Sequence, residues 1–128
     1  MKIIAGNWKM NGTVTENRKR LREIAESADT AENKVIVFPP FLSLGDAAEI
    51  LRDTEIAYGA QNCHPQPAGA YTGEVSAAML ADSGCFYCLV GHSERRQYFK
   101  EDSAFLKAKI VALKELGLIP VFCVGESL

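Results

Sequence analysis

Five short apolar runs divide the chain, and each is closed by glycine-containing or polar sequence. They are "KIIAGNW" (Lys2 to Trp8), "KVIVFP" (Lys34 to Pro39), "EIAYGAQN" (Glu55 to Asn62), "FYCLVG" (Phe86 to Gly91) and "LIPVFCVGE" (Leu118 to Glu126). Runs of this kind predict strands buried on both faces. Helical spacing takes over between them. Leu21, Ile24, Ala25 and Ala28 mark one helix, Asp46 to Asp53 and Val75 to Ala81 two shorter ones, and Leu106, Ile110 and Leu113 a fourth. Strand and helix alternate as far as a fifth strand, which predicts an α/β fold with a parallel sheet and right-handed crossovers. In such a sheet the residues just past every strand share one rim.

At 128 residues the chain is about one domain long, enough to hide roughly two thirds of its unfolded surface. A net charge of -2 with 23% charged residues lacks the basic excess of a nucleic-acid binder, so no nucleic-acid partner is expected. No apolar run approaches the ~20 residues that span a bilayer, and no membrane partner is expected. The opening "MKIIAGNWKMNG" has too short an apolar core for a signal peptide, which predicts a cytoplasmic location. Cys85 and Cys88 form a C-x-x-C, but read as strand they point to opposite faces, a poor arrangement for sharing one zinc. His64 and His92 have no second cysteine pair or His-x-x-x-His spacing beside them, so no metal is expected.

The rim carries the chemistry. Asn7, Lys9 and Asn11 follow or end the first run, Gln61 and Asn62 the third, His92 and Glu94 the fourth, and Glu126 the fifth. In parallel α/β folds ligands bind at that carboxyl edge. Each residue also has a plainer role open to it: Lys9 as a solvated cation, His92 as a hydrogen-bonded structural group, Ser93 as a helix cap with Glu94 in the first turn. Trp8 and Met10 are read as packing residues. Convergence on one rim favours function without naming a reaction.

A reaction is suggested by resemblance. "AGNWKMNG" (Ala5 to Gly12), "GAQN" (Gly59 to Asn62), "GAYTGEVSAAML" (Gly69 to Leu80), "GHSERR" (Gly91 to Arg96) and "VFCVGE" (Val121 to Glu126) resemble the triosephosphate isomerase family in order and approximate spacing. The resemblance implies a (β/α) TIM barrel, with residues 1–128 as the N-terminal half of a single barrel domain: the first five strands and four helices of eight. It implies interconversion of dihydroxyacetone phosphate and D-glyceraldehyde 3-phosphate through an enediolate, without cofactor or metal. Carried over, Lys9 is the cation beside the phosphate and the developing oxyanion, Asn7 a hydrogen-bond donor to the substrate, and His92 the electrophile. This family is itself the standard illustration of an imidazole kept neutral by a helix N-terminus so that it polarises a carbonyl. Glu94 would orient Lys9 or relay a proton. A homodimer is implied for the full-length enzyme, with Thr72 and Gly73 at the interface, where a threonine reaches the partner's Asn7 and Lys9.

The chain departs from the family pattern in extent. The glutamate that serves as general base, the lid beside it and the glycine-rich phosphate turns belong to later strands of a ~250-residue barrel. The 128-residue chain alone is therefore expected to be inactive, with Glu126 the first suspect should it turn over substrate. Two other readings stay open. One is a non-catalytic half-barrel that self-associates or is complemented by a second-half chain; the other is a different enzyme reusing the rim, although no carboxylate pair or nucleophile with a base stands out.

Overall fold

The computed structural model describes residues 1–125. Strands β1 (Lys2–Asn7), β2 (Asn33–Phe38), β3 (Ala57–Ala60), β4 (Tyr87–Val90) and β5 (Ile119–Phe122) pair in parallel and in sequence order. The crossovers carry α1 (Val14–Ser27), α2 (Leu44–Ile50) after a single 3-10 turn at Phe41–Ser43, α3 (Ala77–Asp82), α4 (Ser93–Tyr98) and α5 (Ser103–Glu115). The parallel order matches the expectation, but among the described residues there are five helices where four were expected. Lys100 is the cause: it takes a left-handed conformation (φ 54) after α4, and Asp102 starts a new helix by accepting from the Phe105 N–H at 2.8 Å.

Local sequence explains the other helix starts. Thr13 and Glu16 form a reciprocal capping box at the head of α1, each side chain accepting from the other's backbone N–H at 3.2 Å. Ser76 caps α3 through the Met79 N–H. Leu21, fully buried on α1, packs with Val37, Ala47, Leu51 and Ile56, and burying one leucine stabilises by about 2 kcal/mol.

Strand alternation divides the core. Ile36, Phe38 and Leu89 point to one face of the sheet, joined by Ala57, Tyr87 and Val121. Ala60, Cys88 and Val90 point to the other, where Ala77, Leu80, Leu106 and Leu113 of α3 and α5 cover them. Cys85 does not lie opposite Cys88 as expected. It sits before β4, after the Gly84 turn, and joins Cys63 and Cys88 in the same buried cluster. Burial pushes the Cys85 thiol up to about 11, so it is protonated at neutral pH. Among the described residues no helix is long and apolar enough to cross a membrane.

Burial on both faces holds for the inner strands and fails at the edges. Ile3 and Ile4 on β1 are 67% and 51% exposed, and Ile119 and Phe122 on β5 are 48% and 46% exposed. Each edge strand has one lateral neighbour in place of two, so its apolar side chains and outer backbone groups lack cover. A polypeptide confined to residues 1–128 is therefore expected to self-associate, its sedimentation-equilibrium mass rising with concentration. Ile4→Lys combined with Phe122→Lys should lower that mass, and a clean monomer at micromolar concentration would refute the expectation.

Candidate functional site

The turn after β1 is held unusually firmly. Lys9 adopts a left-handed backbone (φ 57), which an L-residue avoids by roughly 1–2 kcal/mol. Hydrogen bonds, each worth about 1 kcal/mol, offset that cost. The Asn7 Oδ1 accepts from the Lys9 N–H at 2.9 Å, and Gln61 Nε2 donates to the Lys9 carbonyl at 2.8 Å and to the Phe38 carbonyl at 2.9 Å. Asn11 Nδ2 donates to the Trp8 carbonyl at 2.9 Å. Below them the fully buried Asn17 donates through Nδ2 to the Asn11 and Gly12 carbonyls, both at 3.3 Å, and to Ser43 Oγ at 3.1 Å. Gly12 is obligatory here, because a Cβ would stand 2.0 Å from the Asn17 Oδ1 at φ 93. Trp8 packs as expected, half-buried against the α1–α2 cluster with the Arg20 guanidinium 5.2 Å above its ring. Met10 does not pack: the Lys9 turn throws it outward, 95% exposed.

The end of β4 is shaped by a second left-handed residue, Gly91 (φ 76), where a Cβ would come within 2.8 Å of Arg96 Nη2 and 3.2 Å of Leu106. His92 follows and is itself the cap of α4, in place of Ser93, which already lies inside the helix. Its Nδ1 lies 3.3 Å from the Glu94 N–H and equally far from Glu94 Oε2. The backbone fixes the direction of the N–H, so Nδ1 is the acceptor and the proton of a neutral ring falls on Nε2. Arg96 donates from Nε to the Gly91 carbonyl at 2.7 Å and from Nη2 to the Cys123 carbonyl at 2.9 Å, with its guanidinium 5.2 Å above the Phe122 ring.

Lys9, His92 and Glu94 meet at one point. Lys9 Nζ lies 2.7 Å from Glu94 Oε1, and this hydrogen bond holds the Glu94 carboxyl below its ordinary range. Both side chains are about half exposed, so the pair orients Lys9 more than it stabilises the fold. Asn7, Lys9, Gln61, Asn62, His92 and Glu94 line a cavity of about 540 Å³, walled by Phe41, Tyr98 and Phe99. A larger hollow, about 1210 Å³, opens at the opposite end of the sheet among Lys2, Asn33, Lys34 and Glu55. That is the amino end of the strands, away from the edge where parallel α/β folds bind ligands. Glu126 lies outside the described residues. Thr72 and Gly73 are not part of the cavity: they form an exposed turn at the tip of the β3–α3 loop, which closes on itself where the His64 N–H donates to the Val75 carbonyl at 2.7 Å.

A buried charge network beside the cavity has no counterpart in the sequence-based expectations. Lys109 of α5, 1% exposed, donates to Asn62 Oδ1 and to Glu101 Oε2, each at 2.6 Å, and Arg95 Nε donates to the same Glu101 oxygen at 3.0 Å. The signal was there to find, since Lys109 falls on the face marked by Leu106, Ile110 and Leu113. Chemically, the cavity offers an ammonium and an imidazole N–H to a developing negative charge. Among the described residues no group of three or more His, Cys, Asp or Glu side chains is placed to hold a metal ion.

A sequence model described as triosephosphate isomerase matches residues 2–128. The chain is 48% identical over 126 residues to the triosephosphate isomerase of Chloroflexus aurantiacus, covering 98% of this chain and 50% of that protein. It is 48% identical over 127 residues to that of Dictyoglomus thermophilum, covering 98% and 51%. The crystal structure of triosephosphate isomerase from Bartonella henselae superposes with a TM-score of 0.90 at 42% identity, over 98% of this chain and 52% of that one. The chain thus spans about half the length of the curated relatives it matches.

Burial alone would raise the Glu101 carboxyl, but hydrogen bonds from Lys109 and then Arg95 outweigh it and leave the group below its ordinary 4.5. A lowered carboxylate contributes stability that is complete above about pH 4.5 and is lost as the pH falls through the folded value. In full-length protein carrying this segment, Glu101→Gln is expected to flatten the acid limb of the melting-temperature profile. At neutral pH it should cost about 3 kcal/mol, because Lys109 and Arg95 then lose the anion they share. An unchanged acid limb in thermal melts taken down to about pH 3 would contradict this.

Proposed function

The chain belongs to the triosephosphate isomerase family, and we propose that it supplies the electrophilic half of an active site that interconverts dihydroxyacetone phosphate and D-glyceraldehyde 3-phosphate through an enediolate. The observation that carries the reading is the convergence on one cavity of the Lys9 ammonium and of His92, whose Nδ1 is placed to accept from the Glu94 N–H so that Nε2–H is left to donate. In the forward direction a base removes a proton from the carbon beside the substrate carbonyl, and the electron pair moves onto the carbonyl oxygen. The His92 Nε2–H hydrogen-bonds that oxygen as its charge grows, and Lys9 adds a fixed positive charge between it and the phosphate. The hydroxyl proton on the deprotonated carbon passes to that oxygen. The base then returns its proton to the former carbonyl carbon, leaving the new carbonyl on the other carbon and the base free. Asn7 orients Lys9 through the backbone and Glu94 does so through the side chain.

Among the described residues the only carboxylate lining the cavity is Glu94, and Lys9 engages it. The proton-abstracting base of this mechanism is read as supplied by a later part of the barrel. Residues 1–128 are read as the N-terminal half of one TIM-barrel domain that acts only when the barrel is whole. The proposed setting is the cytoplasm.

Removing Lys9 takes a preorganised charge from the site. In full-length protein carrying this segment, Lys9→Ala is expected to lower kcat/KM by on the order of 100-fold or more. His92→Gln should cut kcat while leaving the circular-dichroism spectrum intact. Steady-state assays with host isomerase excluded test both, and near-normal turnover in either variant would overturn the assigned role.

The exposed Thr72–Gly73 turn supports a homodimer in which this loop enters the partner's rim cavity. Its tip has room to do so, since Gly73 (φ 90) has nothing within 4 Å of a Cβ position. Thr72→Lys is expected to shift full-length protein from dimer toward monomer in sedimentation velocity and to lower activity in parallel. A wild-type protein that sediments only as a monomer at micromolar concentration would exclude this arrangement.

A further inference from the structure

We infer that Gln61 and Arg96 are positioning residues for Lys9 and His92, each clamping the left-handed backbone unit that aims its partner into the rim cavity; this rests on the proposed roles of Lys9 and His92. A positive φ aims each of the two side chains: that of Lys9 itself (φ 57), and that of Gly91 (φ 76), which directly precedes His92. The carbonyl of each receives a side-chain donor from another element. Gln61 Nε2 reaches the Lys9 carbonyl at 2.8 Å, and Arg96 Nε reaches the Gly91 carbonyl at 2.7 Å.

Each clamp also grips a neighbouring strand end. Gln61 Nε2 donates to the Phe38 carbonyl at 2.9 Å, so a side chain from beyond β3 ties the ends of β1 and β2 together. Arg96 Nη2 donates to the Cys123 carbonyl at 2.9 Å, tying the end of β4 to the end of β5. A left-handed residue turns its carbonyl out of the parallel ladder, where no strand N–H can meet it. Without that donor the carbonyl is left to mobile water, and nothing fixed then holds the backbone of Lys9 against the conformations that an L-residue prefers. Such a relaxation moves the ammonium while leaving the side chain itself unchanged. Arg96 fits its place closely, its Nη2 occupying space that opens because residue 91 has no Cβ.

A double-mutant cycle in full-length protein carrying this segment separates positioning from simple stabilisation. Gln61→Met keeps the side-chain length and removes the donor, and Arg96→Lys keeps the charge and loses the two-directional fork. Each alone is expected to lower kcat/KM by roughly 10- to 100-fold, the scale of a misplaced catalytic group. In the Lys9→Ala background Gln61→Met should have no further effect, and in the His92→Gln background Arg96→Lys should have none. Effects that multiply in the double variants, or single variants with wild-type kcat/KM, would overturn the inference. Wild-type activity in Lys9→Ala or His92→Gln alone would overturn the site reading instead, so the two failures are distinguishable. Should Gln61→Met fail to fold, Gln61→Asn, which keeps the amide but shortens its reach, gives the same cycle.

Discussion

Every strand lies beside the strand that follows it in sequence and points the same way, and the placement of the site descends from that parallel adjacency. A parallel neighbour can be reached only by a crossover that returns the chain to the opposite end of the sheet. All five strands therefore deliver their last residues to one rim. Lys9 from the end of β1, Gln61 from the end of β3 and His92 from the end of β4 become neighbours without any one of them being close in sequence to the next. What remains is to hold them, and the rim does so with side chains that bind backbone: Asn7, Asn11, Asn17, Gln61 and Arg96 all hydrogen-bond main-chain groups of the turns.

The strands were legible because apolarity along a short run reports which side chains need cover. It does not report whether cover is present. Ile3 and Ile119 are as apolar as Ile36, yet only Ile36 lies between two strands and is buried; the runs alone imply cover for all three, and only the count of strands in the sheet reveals open edges. Met10 was misread for a related reason: its direction is set by the φ of Lys9, and a lysine in a left-handed conformation leaves no compositional mark. The cysteine pair failed because Cys85 falls two residues before β4, where the two-residue period does not apply.

At the site, residue types and their rim positions were enough to bring Asn7, Lys9, His92 and Glu94 together. They did not show how the cluster is supported. Lys109 reads as an ordinary surface lysine until Asn62 and Glu101 are known to face it, and those partners come from the β3–α3 loop and from the break between α4 and α5. That break is itself the work of Lys100, another left-handed lysine. Two of the least readable features of the chain are thus backbone conformations of long, flexible cations, where side-chain chemistry and main-chain geometry have little to do with each other.

Cys63, Cys85 and Cys88 sit at 1% exposure or less in the core beneath β3 and β4. A thiol reagent in solution can reach them only when α3 or α5 lifts away from the sheet, and protonation of Cys85 slows its reaction further even then. Cys123, partly exposed past β5, is open to reagent without that event. The chain therefore carries its own clock: the lag between labelling of Cys123 and of the inner three would time the spontaneous opening of the layer on which the rim stands.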